Sequence, residues 1–196
     1  MDKKNITNDL LAEIQNKIFK KVRLNEQALL KIKNNSFSLL EKWQQFLQII
    51  FPLQLSVIKN YGFEETQSGL SHFNEIYAQQ SINSFDLKQL NKQKWLFILE
   101  KAFGVTEFKE ISLQSAQKLI IDIAEQMTSK TFLQQIDSIV KSFSDELSLI
   151  EKRKAVLTIL LPLHMSVMAK HGFEGKDGYV QAQRAIMDYY HDPLIS

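Results

Sequence analysis

One stretch of the sequence occurs twice, and the two copies align without a gap. Residues 51–64 match residues 161–174, so that every matched position lies 110 residues from its partner. The similarity extends upstream, and over residues 38–64 and 148–174 the two copies share 13 of 27 positions. Six of the other 14 positions exchange one apolar residue for another. The sequence therefore predicts a duplicated structural unit.

Composition indicates that this unit is helical. The chain contains only 6 Gly and 3 Pro in 196 residues, and these are the residues that strands and tight turns need most. Hydrophobic residues make up 44% and charged residues 23%, which is typical of a folded protein. We expect an all-α protein of two tandem helical repeats, each with about four helices around a proline-kinked central helix.

Two adjacent apolar stripes predict the central helix of the repeat, because their residues recur at intervals of three and four. In the first copy, one stripe consists of Leu39, Trp43, Phe46, Ile50, Leu53, Val57 and Tyr61. The other consists of Leu40, Leu47, Phe51, Leu55 and Ile58. The second copy keeps both stripes, and a face this wide is typical of a helix that is covered on several sides.

Three residue types that bend or end helices occur at matched positions of this helix in the two copies. They are Pro52, Gly62 and Phe63 in the first copy and Pro162, Gly172 and Phe173 in the second. Each proline is expected on the polar side, where water can replace the lost hydrogen bond and the helix can bend around its core. Each glycine is expected to adopt the left-handed conformation that ends a helix, with the phenylalanine folding back onto the last turn. These six residues form the structural motif of the repeat.

Polar residues indicate where helices begin. Thr7 and Ser112 are expected to cap the first helix of each copy. The apolar residues that follow are Leu11, Ile14, Ile18 and Val22 in the first copy and Leu113, Ala116, Ile120, Ile123 and Met127 in the second. Ser38-x-x-Glu41 and Ser148-x-x-Glu151 fit the capping box of the central helix, unless that helix begins earlier and these are surface residues.

A further helix is predicted between the copies, over residues 85–103. Five consecutive apolar residues cover every side of it: Trp95, Leu96, Phe97, Ile98 and Leu99. Such a segment has to be buried, either between the two repeats or under a partner, so these residues are the candidate interface. We assign residues 1–103, with the linker helix 85–103, to the first domain and residues 104–196 to the second.

The sequence argues against several kinds of chemistry. Without cysteine, the chain can form neither disulfides nor cysteine-bound zinc sites, and thiol catalysis is excluded. The four histidines include no pair at the spacing of a helical metal site, and no catalytic motif occurs. The glycine-containing loop 172–178 lacks the spacing of a phosphate-binding loop. We expect no catalytic residue, no metal and no cofactor.

Charge and hydropathy limit the choice of partner. The net charge is only +2, and the cations of the first helix (Lys17, Lys20, Lys21 and Arg23) are too few to indicate a nucleic-acid surface. No apolar run approaches the ~20 residues that span a bilayer, and no apolar targeting core is recognisable near the amino terminus. We expect other protein chains as partners, no nucleic acid, no membrane insertion and a cytoplasmic location.

The repeat resembles the protein C10 family. The resemblance rests on Leu161-Pro162, His171-Gly172-Phe173 and the closing Tyr189–Ile195 in the second copy, and on Phe51-Pro52 and Tyr61-Gly62-Phe63 in the first. The first copy lacks the Asp-Pro that follows the last helix of the second. The resemblance implies two tandem C10-like domains in a small, all-helical, intracellular protein without known catalytic residues.

The features that occur in both copies pack helices together or end them, and no group of polar catalytic residues is repeated. We therefore expect a non-enzymatic helical structural or interaction protein, a subunit or assembly factor of a larger multiprotein complex. The expected locations of this complex include the cytoskeleton and the cilium. The alternative is a small-molecule carrier or enzyme with a pocket between the two repeats, for which His164, Lys176 and Asp177 are the candidate residues.

Overall fold

The computed structural model describes residues 6–143, 149–189 and 191–195. These residues form helices joined by turns and short loops, and no strand occurs among them. The predicted all-α class is therefore confirmed.

Contacts divide the chain into two compact units. The first unit takes residues 1–109 together with residues 187–194, and the second takes residues 110–186. The return of the carboxyl-terminal segment to the first unit has no counterpart in the sequence-based expectations. The assignment of independent domains to 1–103 and 104–196 stays a prediction.

The first unit contains five α-helices within the described residues. They are α1 (Asn8–Leu24), α2 (Glu26–Asn34), α3 (Leu39–Ile58), α4 (Gln67–Ser81) and α5 (Phe85–Ile98). A 3-10 turn (Lys59–Tyr61) continues α3, and a π-helical turn (Leu99–Phe103) continues α5. The predicted helix 85–103 is thus α5 with its π-helical extension.

Helix α1 follows the sequence pattern closely. The Thr7 hydroxyl accepts a hydrogen bond from the Leu10 amide at 3.2 Å, as expected of an N-cap. The four predicted apolar residues are each 0% exposed: Leu11, Ile14, Ile18 and Val22. Full burial of such a side chain contributes roughly 1.5–3 kcal/mol, so this stripe is a major part of the core.

Helix α3 begins at the predicted capping box. The Glu41 amide donates to the Ser38 hydroxyl at 3.3 Å, and the Ser38 amide donates to the Glu41 carboxylate at 2.9 Å. The matching box at Ser148 lies outside the described residues.

One of the two predicted stripes of α3 is covered more completely than the other. Its buried residues from the first stripe are Leu39, Phe46, Ile50 and Val57. The second stripe is buried at Ile58 but half-buried at Phe51 and Leu55, and Leu47 is 43% exposed. The prediction that both stripes are covered is therefore wrong at Leu47, because the neighbouring helices leave this side of α3 open.

An aromatic cluster fills the centre of the first unit. The Phe46 ring lies 5.2 Å from Trp43, 5.6 Å from Phe103 and 6.0 Å from Trp95, measured between ring centroids. The rings are tilted or edge-on, which is the favourable arrangement for aromatic pairs. The cluster joins α3 to α5 and its π-helical turn.

The second unit contains α6 (Leu113–Met127), α7 (Lys130–Ser142), α8 (Leu149–Lys170) and α9 (Gly175–Met187). The Ser112 hydroxyl caps α6 by accepting from the Ser115 amide at 3.1 Å. The buried residues of α6 are Ala116, Leu119 and Ile123. The predicted stripe is therefore wrong at Leu113, which is 36% exposed, and it omits Leu119, because the buried face is rotated from the one expected.

Among the described residues, no single helix is both long and apolar enough to cross a membrane. Residues 155–170 and 175–187 reach the required length and hydropathy only jointly, across a bend of 82°.

Candidate functional site

The predicted punctuation of α3 occurs in the structure. Gly62 follows the 3-10 turn with a φ of 82°, a left-handed conformation that glycine adopts without the strain a side chain would cause. The Phe63 amide then donates back to the Ile58 carbonyl at 3.4 Å, and the Phe63 ring is buried. Pro52 is exposed, as expected of a proline on the polar side of the helix.

The end of α8 is built in the same way. Gly172 has a φ of 81°, and the Phe173 amide donates to the Met168 carbonyl at 2.9 Å. The Phe173 ring is only 1% exposed, and Pro162 is exposed. The glycine and phenylalanine of the motif therefore terminate the central helix in both units, whereas the bend at each proline stays a prediction; none of the six residues presents polar side-chain chemistry.

A second glycine in each unit has a role that the sequence analysis missed. A Cβ atom added to Gly69 would lie 2.1 Å from the Glu64 carbonyl oxygen, and one added to Gly178 would lie 2.6 Å from the Phe173 carbonyl oxygen. In both units the helix that follows the central one, α4 or α9, thus passes against the backbone of the residue five positions before this glycine. The sequence contains one signal for this role: a glycine follows the phenylalanine of the motif by six residues in the first copy and by five in the second.

The residue before each left-handed glycine of the motif, Gly62 or Gly172, makes a polar contact with the first helix of its unit. The Tyr61 hydroxyl donates to the Glu13 carboxylate at 2.8 Å and accepts from the Lys17 ammonium. Hydrogen bonds from Lys17 and from Tyr61 hold the pKa of Glu13 below its usual range. In the second unit, His171 Nε2 lies 2.7 Å from the Asp122 carboxylate. Each contact holds the end of the central helix against the first helix of its unit, α3 against α1 and α8 against α6.

The five residues predicted as an interface contribute to the core of the first unit. Trp95, Ile98 and Leu99 are buried, whereas Leu96 and Phe97 are half-buried. The Phe97 ring packs edge-on against Phe19 of α1, with centroids 5.8 Å apart. A role in partner binding stays a prediction for Leu96 and Phe97.

The polar candidates of the alternative hypothesis lie on two helices of the second unit, His164 on α8 and the other two on α9. His164 is half-buried on α8, burial lowers its pKa, and its Nε2 has no hydrogen-bond partner among the described residues. Lys176 and Asp177 are exposed in the first turn of α9. Where the chain is described, no three His, Asp or Glu side chains are placed to hold a metal ion.

A cavity of about 160 Å³ lies within the first unit. Aromatic and aliphatic side chains form most of its wall, including Phe46, Phe51, Tyr77 and Trp95. Leu47 also lines the cavity, and its exposure of 43% indicates that the cavity opens to solvent beside this residue. The cavity occupies the open side of α3.

A hydrogen-bonded chain of polar groups lines one part of this cavity. The Gln15 amide nitrogen donates to the Asn91 side-chain oxygen, and the Asn91 amide nitrogen donates to the Asp188 carboxylate, each at 3.1 Å. Lys94 is only 5% exposed, with its ammonium 5.4 Å from the centroid of the Trp95 ring. Burial raises the pKa of Tyr77, whose hydroxyl donates to the Leu87 carbonyl at 2.7 Å. These groups can orient a ligand.

The second unit carries a wider, more open groove of about 770 Å³ between α7 and α8. Its apolar lining includes Ile139, Ile159, Leu163 and Val167. Its described polar lining is mostly uncharged and consists of Gln126, Thr131, Gln134, Gln135, Ser138, Thr158 and Ser166, together with the charged Lys170. The groove combines apolar contact with mostly uncharged polar groups, which suits binding better than catalysis.

Comparisons with protein-family models, with curated proteins and with solved structures find no match to this chain. The resemblance to the protein C10 family therefore rests on the motif residues alone.

Proposed function

We propose that the chain is a non-enzymatic helical interaction protein made of two C10-like domains, and that it serves as a subunit or assembly factor of a larger multiprotein complex. Its partners are other protein chains, and the second unit provides a docking surface for them. The proposed setting is the cytoplasm, and its extension to the cytoskeleton or the cilium stays a prediction.

The observation that carries this proposal is the incomplete coverage of α8. A helix that is apolar on all sides belongs in the interior of a protein. From Ala155 to Met165, however, every described apolar side chain of α8 is only half-buried, and burial becomes complete only at Val167 and Met168. Exposed apolar surface of this extent is typical of a protein–protein contact.

The neighbouring helix α7 supports the same interpretation. Phe132 is its only buried residue, whereas Leu133 is 53% exposed and Val140 is 50% exposed. The groove between α7 and α8 has the apolar floor and uncharged rim that receive the apolar face of an amphipathic helix. A carboxylate on that helix would be placed to pair with Lys170 at the edge. We therefore propose an amphipathic helix of a partner chain as the occupant.

The experiment fills the groove and asks whether the complex survives. Ser166 is exposed and lines the groove, so Ser166→Trp places a large side chain in the path of the proposed helix without disturbing a buried residue. Ser71→Trp is the matched control, because Ser71 is exposed on α4 and lines neither the groove nor the cavity. Native complexes are isolated from extract and crosslinked, and the crosslinked peptides are identified by mass spectrometry.

We expect crosslinks from the unchanged chain to join the α7–α8 region to a helical segment of another protein. Ser166→Trp should reduce the recovery of that partner at least roughly fivefold, since disrupting a central contact of an interface typically costs more than about 1 kcal/mol, whereas Ser71→Trp should leave it unchanged. Equal recovery with both variants would contradict the proposed surface. A chain that runs as a monomer in extract would contradict the proposed function.

A further inference from the structure

The cavity of the first unit contains one polar atom whose bonding is incomplete. Gln15 is 2% exposed, its amide nitrogen donates to Asn91, and its side-chain oxygen Oε1 has no hydrogen-bond partner among the residues that the structure describes. Leaving a buried acceptor unpaired is energetically unfavourable, so such atoms usually have a partner that completes the site. Gln15 lines the cavity, which places this acceptor at the cavity wall.

The orientation of the two amides is set by a neighbouring carboxylate. Ionised Asp188 can only accept hydrogen bonds, so the Asn91 amide nitrogen has to face it, at 3.1 Å. The Asn91 oxygen then faces Gln15 and accepts from the Gln15 amide nitrogen. A rotation of either amide would place two donors or two acceptors together. Oε1 of Gln15 is therefore fixed as an acceptor, and whatever completes the site has to donate.

Size and charge narrow the ligand further. A cavity of about 150 Å³ holds a single benzene ring, and this cavity measures about 160 Å³. Its walls include the rings of Phe46, Phe51 and Trp95, against which a flat ring can pack. Among the described residues, the charged ones that line it are Lys94 and Asp188, which carry opposite charges. We infer that the first unit binds a small, neutral aromatic compound that carries an N–H or O–H donor, with the donor directed to Gln15.

This inference does not depend on the proposed function, since the cavity belongs to the first unit and the groove to the second. Phenol is the probe, because it combines one ring with one donor, and toluene has almost the same size without the donor. Each compound is titrated into the full chain, and binding is followed by NMR through the indole N–H signal of Trp95. Calorimetry provides the dissociation constants.

Two substitutions of the same kind test the donor. Gln15→Met keeps the unbranched shape of glutamine but removes the acceptor, whereas Gln48→Met makes the same change at an exposed residue of α3 that does not line the cavity. We expect the ratio of the toluene to the phenol dissociation constant to fall about fivefold in Gln15→Met, which corresponds to one hydrogen bond. The ratio should be unchanged in Gln48→Met.

The absence of cysteine allows a test that leaves the polar groups intact. Leu47→Cys introduces a unique thiol at the exposed edge of the cavity, and its modification with a bulky reagent should abolish phenol binding. This variant decides the question if Gln15→Met does not fold. Two results would overturn the inference: neither compound binds, which means that only water enters the cavity, or the modified protein binds phenol as well as the unmodified one.

Discussion

The two units end their central helices in the same way but cover them differently. Gly62 and Gly172 have φ values of 82° and 81°, and the phenylalanine after each folds back onto its helix. Along the helix the similarity is lost, because Phe46 is 1% exposed in α3 whereas Val156, at the matched position of α8, is only half-buried. Helix ends are determined by a few local residues, but burial is determined by what the rest of the chain places against the helix.

The largest expected difference between the units is at this matched pair. Phe46→Ala should lower the free energy of unfolding by about 4 kcal/mol, because it removes a ring that contacts Trp43, Trp95 and Phe103. Val156→Ala should cost about 1 kcal/mol, since fewer atoms leave contact at a half-buried site. Urea unfolding measures both values, and hydrogen exchange of α3 and α8 assigns each loss to its unit. Equal losses would contradict the difference in coverage.

The next prediction concerns a feature that the units share. Gly69→Ala and Gly178→Ala should each lower the free energy of unfolding by about 2–3 kcal/mol, because the new methyl group would meet the backbone of Glu64 or Phe173. Gly175→Ala is the control: its Cβ would have open space, and its φ of 66° should cost only about 1 kcal/mol. The measurement is again urea unfolding. A large loss of stability for one of Gly69→Ala and Gly178→Ala, and none for the other, would contradict the prediction that both units depend on this backbone contact.

The smallest predicted effect depends on pH. Burial lowers the pKa of His164 in the folded chain, so below its ordinary pKa of ~6.5 the unfolded chain binds the proton more readily. Stability should therefore be lost as the pH falls from about 7 to about 5, where the unfolded state carries more protons. His164→Gln, which introduces the residue found at position 54, should weaken this dependence. Melting temperatures at both ends of the range test it, and an identical slope in both proteins would contradict it.

Local features of the fold were predictable because nearby residues determine them. The caps at Thr7, Ser38 and Ser112 and the left-handed glycines each depend on a few neighbouring groups, and the structure contains all of them. The buried stripe of α1 was predictable for a related reason, since helical spacing alone places Leu11, Ile14, Ile18 and Val22 on one face.

Features that join distant parts of the chain were not predictable from the sequence. The wall of the cavity brings together Gln15, Asn91 and Asp188, and nothing in the local sequence of any one of them indicates the other two. The exposure of Leu47 has the same origin, because its helical spacing predicts burial and only the placement of other helices leaves it open. The candidate sites therefore emerged from packing rather than from motifs.

The return of residues 187–194 to the first unit has a consequence for how the protein is made and divided. The chain passes from the first unit to the second after Lys109 and returns to the first after Ile186. During synthesis, the first unit cannot acquire its last segment until the whole second unit has left the ribosome. A fragment that ends at Lys109 lacks Asp188 and with it the acceptor of the Asn91 amide. The order of the sequence is thus not the order in which the two units are completed.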